Sequence, residues 1–341
     1  MPKISFAQAI NDALREEMRK DESIIILGED VGRAGGVRGV TKGLFEEFGE
    51  ARVKDTPISE ATIVGAGVGA AIVGLRPVVE IMYSDFLGIA GDEIFNKMAK
   101  WRYEHGSVMQ VPMILRTSCG GGFGGAAEHS QSLEATFMHF PGLRIVYPST
   151  PHDAKGLLKT LLKQHDPAIF FEHRLLYKVS GEVPQEEYFI PLGAADIKRE
   201  GSDVTVAAIG IQVMHALAVA ERLSTEGIDV EVIDLRTLNP LDKETLLKSV
   251  EKTGKLVVLE EGHKTGGVGA ELAAIVSEER FYHLKAPIKR VAALDLPVPY
   301  SPPMEKFVLP SEEKIADAIR EVCRLGLPGQ AFAERYAFQM T

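Results

Sequence analysis

Two glutamates and a histidine are candidate proton-transfer groups, because of their positions in the sequence. Glu60 opens an uncharged stretch at 61–75, and Glu29 directly follows a short apolar run at 24–28. His129 stands at the exit of a glycine-rich segment, where an imidazole is better placed for proton transfer than on the packed face of a helix. A structural role for His129 is an equal alternative on these residues alone. None of the three is a nucleophile, so the residue types indicate acid–base chemistry.

Glu60 is predicted to lie in the first turn of a helix. Pro57 fixes φ, and the Ser59 hydroxyl can accept from an unpaired backbone N–H of the first turn, a pattern typical of helix starts. The helix dipole favours the ionised carboxylate, whereas apolar neighbours that exclude water raise its pKa. The sequence therefore predicts a carboxyl group that can hold or share a proton near neutrality. The alternative is a surface glutamate that only opens a helix.

The helix expected after Glu60 carries almost no side-chain bulk, because Gly65, Gly67 and Gly69 stand among alanines. Such a helix is weak but lets another backbone approach closely, which favours a tight, buried contact. The same letters, GAGVGA, match the dinucleotide fingerprint, and Asp85 lies about 20 residues beyond them. That fingerprint requires a strand directly before its first glycine, and a helix start stands there instead. We therefore favour packing glycines, with a nicotinamide-dependent oxidoreductase as the weaker alternative.

Other chemistries lack their motifs in this sequence. There is no P-loop, no serine nucleophile elbow, and no His-x-x-x-His or Cys-x-x-Cys spacing for a metal ion, so hydrolase and zinc-enzyme assignments have no support. Proton-transfer groups without a nucleophile or a metal set indicate that a bound organic cofactor carries the difficult chemistry.

The composition is that of a globular protein, with 45% hydrophobic and 25% charged residues among 341. Acidic residues outnumber basic ones by 48 to 38, and the net charge of −10 argues against nucleic-acid binding. Cys119 and Cys323 are too few for a disulfide framework and fit a reducing cytoplasm. We see no signal peptide, and the stretch 61–75 is shorter than the ~20 apolar residues that span a membrane. We therefore expect a cytoplasmic protein without a membrane segment.

Strand and helix patterns alternate along most of the chain, which predicts an α/β fold with two parallel-sheet domains. The first domain is expected over residues 1–180 and the second over 203–325, joined by a charged, proline-containing linker at 181–202. Residues 326–341 show no clear period and are expected to form a loose tail. A strand over 24–28 would deliver Glu29 to its carboxyl end, where open α/β sheets place their chemistry.

Several short motifs together resemble those of one enzyme family. In chain order they are GEDVG at 28–32, DTPISE at 55–60, DF at 85–86, HSQ at 129–131, PGL at 141–143, PSTPHDAKGLL at 148–158 and EEGH at 260–263. They resemble the β subunit of thiamine diphosphate-dependent 2-oxoacid dehydrogenases, a family that includes pyruvate, branched-chain 2-oxoacid and acetoin dehydrogenases. The resemblance covers residues 3–325. It implies a transketolase-like pyrimidine-binding domain followed by the transketolase C-terminal domain.

The resemblance also implies roles for individual residues. Glu60 would hydrogen-bond the aminopyrimidine ring of the cofactor and promote the imino form, whose nitrogen removes the thiazolium proton. Phe86, which alone would be taken as a core residue beside a loop predicted at 83–86, would pack on the pyrimidine ring. His129 would lie near the substrate and the incoming lipoyl group. Glu29, within GEDVG, is grouped with the cofactor-binding residues.

The resemblance further implies that the chain works with an α subunit. The Gly-Asp-Gly…Asn element that holds the cofactor diphosphate through Mg²⁺ does not occur here, so the α subunit would hold the metal ion. The implied assembly has two α and two β chains with cofactor at each α/β interface, and it docks on a lipoyl acyltransferase core. The substrate stays open between pyruvate, a branched-chain 2-oxoacid and acetoin. A non-catalytic scaffold subunit is the alternative, and the acidic residue at position 60 speaks against it.

Overall fold

The computed structural model describes residues 1–325, which form two compact units. The first unit comprises Met1–Ala194 and Arg236–Pro240. The second comprises Ala195–Leu235 and the described residues from Leu241 onward. None of the helices in this part of the chain combines the length and hydrophobicity needed to cross a membrane.

Strands and helices alternate through both units. The described strands are β1 (Lys3–Ser5), β2 (Ile24–Gly28), β3 (Val53–Asp55), β4 (Arg76–Ile81), β5 (Ile114–Cys119), β6 (Arg144–Val146), β7 (Ala168–His173), β8 (Ser180–Glu182), β9 (Asp196–Arg199), β10 (Val204–Ala208), β11 (Val230–Asp234), β12 (Thr237–Asn239), β13 (Leu256–His263) and β14 (Lys289–Ala293). The described α-helices are α1 (Phe6–Lys20), α2 (Leu44–Phe48), α3 (Glu60–Ile72), α4 (Ala99–Glu104), α5 (Glu134–Met138), α6 (Pro151–Lys163), α7 (Gln212–Ser224), α8 (Lys243–Thr253), α9 (Val268–Arg280), α10 (Pro302–Val308) and α11 (Glu312–Leu325).

The first unit is built on a seven-stranded sheet with the order β12-β6-β7-β5-β4-β2-β3. Neighbouring strands run parallel, except that β12 pairs antiparallel with β6 at one edge. A separate antiparallel pair joins β1 to β8. Strands β2, β5 and β7 are buried along their whole length, as expected when both faces of a parallel sheet are covered. Because the strands run parallel, their carboxyl ends all lie along the same border of the sheet.

Helix α1 illustrates how the sequence builds the layer beside this sheet. The Ser5 hydroxyl accepts a hydrogen bond from the Gln8 backbone N–H at 3.2 Å, as the N-cap pattern predicts. The Gln8 side chain donates to Asp12 instead of reaching back to Ser5, so only the Ser5 half of a capping box forms. Phe6 and Ile10 are fully buried, and burial of each such side chain stabilises the fold by about 1.5–3 kcal/mol.

A buried ion-pair network joins three central strands of the sheet. Arg116 on β5 donates to both carboxylate oxygens of Glu172 on β7, at 2.7 and 2.8 Å, and to Glu80 on β4 at 2.6 Å. The Tyr177 hydroxyl also donates to Glu172, at 2.7 Å. Burial raises the pKa of Glu172, and the Arg116 charge opposes that rise. Loss of any one partner would leave a buried charge without its counter-charge. The network therefore stabilises the three strands only while all of its members are present.

The second unit contains a five-stranded sheet with the order β14-β13-β10-β11-β9. Its strands run parallel except for β9, which pairs antiparallel with β11 at the edge. The main hydrophobic cluster combines fully buried side chains of β10, β11, α7 and α11, among them Val206, Val232, Ala216 and Ile319. Both units therefore show the predicted α/β architecture with mainly parallel sheets.

Some local elements differ from the sequence predictions. Residues 83–86, predicted as a loop, lead into a 3-10 helix at Ser84–Ala90, and a π-helix at Glu93–Met98 continues into α4. Helix α10 begins at a pair of prolines and was not predicted. The segment 181–202, for which the sequence predicts a linker, contains strand β9. The predicted tail at 326–341 lies outside the described residues.

Candidate functional site

The side chains with candidate chemistry gather at one edge of the sheet in the first unit. The strands β7, β5, β4, β2 and β3 are neighbours, and each is followed by a segment that carries one of these side chains. In that order they are Arg174, His129, Phe86, Glu29 and Glu60. Because the carboxyl ends of parallel strands meet at the same edge, residues distant in sequence are brought to one region.

Glu29 and Glu60 form an acidic pair at the ends of β2 and β3. The last residues of these strands, Gly28 and Asp55, are paired in register. Glu60 is 8% exposed, which excludes the surface-glutamate alternative. Glu29 is half-buried, and its Oε1 is enclosed without a hydrogen-bond partner in the described part of the chain. Burial raises the pKa of Glu29, and the charges of Glu60 and Asp30 raise it further. Glu29 can therefore hold a proton at a higher pH than an isolated carboxyl group.

Glu60 is the first residue of α3, as predicted, but the helix is not capped by a side chain. The Ser59 hydroxyl donates to the Pro57 carbonyl at 3.1 Å and accepts no hydrogen bond from the first turn. The predicted capping role of Ser59 is therefore wrong. Its backbone lies at φ −172° and ψ 66°, away from the usual N-cap geometry. Glu60 is the acidic side chain of the first turn, where the helix dipole favours negative charge.

Helix α3 has two contrasting faces. Toward the sheet, a Cβ on Gly67 would lie 2.7 Å from Val79 and 2.9 Å from Met113, so only a glycine fits there. The opposite face is exposed and consists of small or apolar residues, namely Ala61, Thr62, Ala66, Gly69 and Val73. The GAGVGA sequence lies inside this helix and not at a strand-to-helix turn. The dinucleotide-binding alternative therefore lacks the geometry that it requires.

An aromatic cluster surrounds His129. The imidazole centre lies 5.4 Å from the ring of Phe86 and 5.5 Å from the ring of Tyr83, both in edge-to-face contact. The Phe86 N–H donates to the Tyr83 carbonyl at 2.9 Å, which begins the 3-10 helix where the sequence predicts a loop. Phe86 is half-buried, so it is not a core residue, and part of its ring stays accessible.

Hydrogen bonds hold the HSQ segment against this 3-10 helix. Asp85 Oδ1 accepts from the backbone N–H and the side-chain amide of Gln131, at 3.1 and 3.0 Å. The Ser84 hydroxyl donates to the Gln131 carbonyl at 2.9 Å. These bonds fix the position of His129, two residues away, relative to Phe86.

Arg174, which sequence reasoning did not single out, lies beside the aromatic cluster. It opens a short 3-10 helix directly after β7 and is 5% exposed. Its guanidinium carbon lies 4.7 Å from the centre of the Tyr83 ring and 4.0 Å from that of Phe123. The signal in the sequence was its place at the end of a buried strand, the same signal that marked Glu29.

Two families of domains match the chain in sequence. Residues 2–180 match the transketolase pyrimidine-binding domain, and residues 193–315 match the transketolase C-terminal domain. Among solved structures, a split gene transketolase, described as an inactive beta4 tetramer, is similar with a TM-score of 0.78. The similarity covers 95% of this chain and 99% of that one at 24% identity, and it supports the transketolase-like two-domain α/β fold.

Curated relatives are similar over nearly the whole chain. The 2-oxoisovalerate dehydrogenase subunit beta of Bacillus subtilis (strain 168) is 48% identical, with 94% of this chain and 99% of that protein covered. The acetoin:2,6-dichlorophenolindophenol oxidoreductase subunit beta of the same organism is also 48% identical, with 95% and 98% covered. The pyruvate dehydrogenase E1 component subunit beta of Rhizobium meliloti (strain 1021) is 44% identical, with 95% and 70% covered.

Proposed function

The chain belongs to the transketolase-like family, within the group of 2-oxoacid and acetoin dehydrogenase β subunits, and we propose that it forms the β subunit of a thiamine diphosphate-dependent enzyme. With its α subunit it decarboxylates a 2-oxoacid such as pyruvate, or cleaves acetoin, and reductively acylates the lipoyl group of an acyltransferase core. The observation that carries this proposal is the pairing of half-buried Glu29 with buried Glu60 at the sheet edge that also bears Phe86 and His129.

The residues at this edge fit the aminopyrimidine part of thiamine diphosphate. Glu29 Oε1 is an enclosed oxygen without a partner within residues 1–325, so the acidic pair has unused hydrogen-bonding capacity. Glu60 would hold the pyrimidine ring nitrogen, and the half-buried ring of Phe86 would pack on the flat face of the heterocycle. When bound, thiamine diphosphate supplies the nucleophilic carbon and the electron sink that cleavage beside a carbonyl requires.

The side chains of this chain would manage the protons of the reaction. Burial and the neighbouring charges raise the pKa of Glu29, which keeps a proton available within the acidic pair. Glu60 would exchange this proton with the pyrimidine ring nitrogen, acting as a general acid and base. His129, held in edge-to-face contact with Phe86 and Tyr83, would exchange a proton with the oxygen of the substrate carbonyl.

The remaining parts of the enzyme are assigned to partners. The α subunit would hold the diphosphate and Mg²⁺, in an assembly of two α and two β chains. The exposed small-residue face of α3 suits close contact with another chain, because small side chains let backbones approach. The acyltransferase core would receive the acyl group, and the assembly would work in the cytoplasm.

The proposal is tested by reduction of an artificial electron acceptor in the presence of thiamine diphosphate and Mg²⁺. Pyruvate, 2-oxoisovalerate and acetoin are supplied in turn to the chain alone and to the chain with its α subunit. Glu60→Gln and Glu60→Ala are measured in the same pair, with Glu46→Gln as a matched control, because Glu46 is an exposed glutamate of α2. We expect activity only in the pair and a loss of more than about tenfold in both Glu60 variants.

Other outcomes are informative. Full activity of the Glu60 variants would show that Glu60 is structural and that the proton role is wrong. Absence of activity in every mixture with all three substrates would contradict the proposed function and favour the scaffold alternative. The substrate with the highest kcat/KM identifies the branch of the family.

A further inference from the structure

Arg174 is a buried cation that the proton chemistry proposed above does not use. Its Nε donates to the Cys119 carbonyl at 3.2 Å, but its two terminal nitrogens are enclosed and have no hydrogen-bond partner among residues 1–325. A buried guanidinium is costly unless it is paired, and it commonly pairs with a carboxylate. Here the groups that enclose it are the faces of two aromatic rings, those of Tyr83 and Phe123. The planar pair of terminal nitrogens is therefore an unused binding group.

The charged groups near Arg174 do not pair with it. Burial lowers the pKa of Arg174, the Arg38 charge lowers it further, and Cys119, Asp85 and Tyr83 oppose this. Asp85 forms no hydrogen bond or ion pair with Arg174. Its Oδ1 is occupied by Gln131, and its Oδ2 is enclosed without a partner in the described part of the chain. Arg38 brings a second positive charge from the glycine-rich segment after β2. The region is therefore suited to an anion.

Phe123 is the exposed part of the enclosure. Its side chain is 43% exposed, and it stands in the glycine-rich loop that follows β5. Gly122 and Gly124 on either side have φ of +86° and +74°, which glycine adopts without strain. A Cβ on Gly125 would lie 2.1 Å from the Phe123 ring, so this glycine makes room for the ring over Arg174. Phe123 thus covers the guanidinium from the solvent side.

We propose that Arg174 binds the carboxylate of a 2-oxoacid substrate, and that the anion reaches it by displacing Phe123. The assignment rests on the proposed function and selects a 2-oxoacid over acetoin, which is neutral. A guanidinium matches a carboxylate through two parallel hydrogen bonds. The Tyr83 ring lies against both the guanidinium and His129, so a carboxylate on Arg174 would bind in the same region as His129.

The test uses the chain paired with its α subunit and measures steady-state kinetics with pyruvate and 2-oxoisovalerate. Two inhibitors accompany them: monoanionic methyl acetylphosphonate, which mimics the charged substrate, and neutral methyl pyruvate. Arg174→Gln should raise KM for the 2-oxoacid by about tenfold or more and weaken the anionic inhibitor equally, while inhibition by the neutral ester changes less than about twofold. Arg174→Lys should recover part of the loss, because it keeps the charge without the planar fork.

Two further variants sharpen the result. Arg33→Gln removes an exposed cation that packs on Phe45, and it should leave the inhibition constants of both inhibitors unchanged. Phe123→Ala removes the cover and should keep or lower KM for the 2-oxoacid. If Arg174→Gln fails to fold, the comparison between wild type and Arg174→Lys carries the test through the same ratio of inhibition constants.

The experimental outcomes that contradict the role of Arg174 differ from those that contradict the proposed function. Equal weakening of the charged and the neutral inhibitor, an unchanged KM, or turnover of acetoin alone would overturn the role of Arg174 in an active enzyme. A wild-type pair that turns over none of the substrates would overturn both proposals.

Discussion

Glu260 in the second unit is a carboxyl group whose surroundings oppose its ionisation. It lies on β13 with 1% of its surface exposed, and its Oε1 accepts the Gly269 backbone N–H at 2.9 Å at the start of α9. Its Oε2 is enclosed, and no residue that the structure describes hydrogen-bonds to it. Burial raises the pKa of Glu260 to about 7, although hydrogen bonds from Gly269 and Val268 and the Arg290 charge oppose the rise. The cost of removing the Glu260 carboxylate from water thus outweighs the stabilisation that the hydrogen bonds at the start of α9 give to its ionised form.

Glu260→Gln should change how the stability of the protein depends on pH. The folded pKa lies above the unfolded value of about 4.3, so the stability that Glu260 contributes is complete below that value and lost as pH rises through 7. The variant keeps a neutral side chain at every pH. Its free energy of unfolding should exceed that of the wild type by up to about 3 kcal/mol at pH 8, and by less than about 1 kcal/mol at pH 5. Unfolding temperatures measured across this range test it, with the exposed Glu278→Gln on α9 as control. A pH-independent difference would contradict the expectation.

At the residue scale, sequence reasoning found the acidic and aromatic groups more readily than their surroundings. Glu29, Glu60, Phe86 and His129 were marked by motifs and strand ends, and the structure brings Glu29 near Glu60 and Phe86 against His129. Their functional roles remain predictions. Arg174 escaped notice because its meaning depends on burial and on two rings that belong to other segments, neither of which a local pattern shows.

At the element scale, the packing of α3 gives a paired prediction from two glycines in one helix. Gly67→Ala should destabilise the isolated chain by about 1–2 kcal/mol, because the new Cβ would overlap Val79 and Met113 and this outweighs the gain in helix propensity. A Cβ at Gly69 would meet no atom of the described residues within 4 Å, so Gly69→Ala should stabilise the chain by up to about 1 kcal/mol. Thermal unfolding of the two variants in parallel measures the difference. Similar effects in both would show that α3 does not pack on the sheet through Gly67.

Short elements are where sequence patterns could not predict the fold. Strand β3 has only three residues and exists because Val53 pairs with Ile26 of β2, a contact that no local alternation encodes. Strand β12 follows β11 of the second unit in the chain, yet its Thr237 pairs with Val146 in the sheet of the first. A clear apolar run is easier to predict: the strand expected over 24–28 agrees with β2 at both ends. Tertiary pairing decides the rest.

At the scale of the whole molecule, one surface stays uncovered by the part of the chain that the structure describes. The outer face of α3, defined above from Ala61 to Val73, is apolar, and Val73 itself is 79% exposed. The helix also begins with Glu60, so a chain that covers this face would lie beside the acidic pair. Assembly and the chemistry of the site are therefore expected to depend on the same helix.

Ala66→Glu should separate folding from assembly. Ala66 is exposed on α3, so a glutamate there should leave the unfolding temperature of the isolated chain nearly unchanged. A charged, longer side chain at a closely packed contact should prevent association with the α subunit and reduce the activity of the mixture by more than about tenfold. Size-exclusion chromatography of the mixed subunits measures association, and Ala274→Glu on the exposed face of α9 serves as the matched control. Normal association of Ala66→Glu would show that the partner covers a different surface, whereas a loss of activity without a loss of association would mean that this face acts on the site and not on assembly.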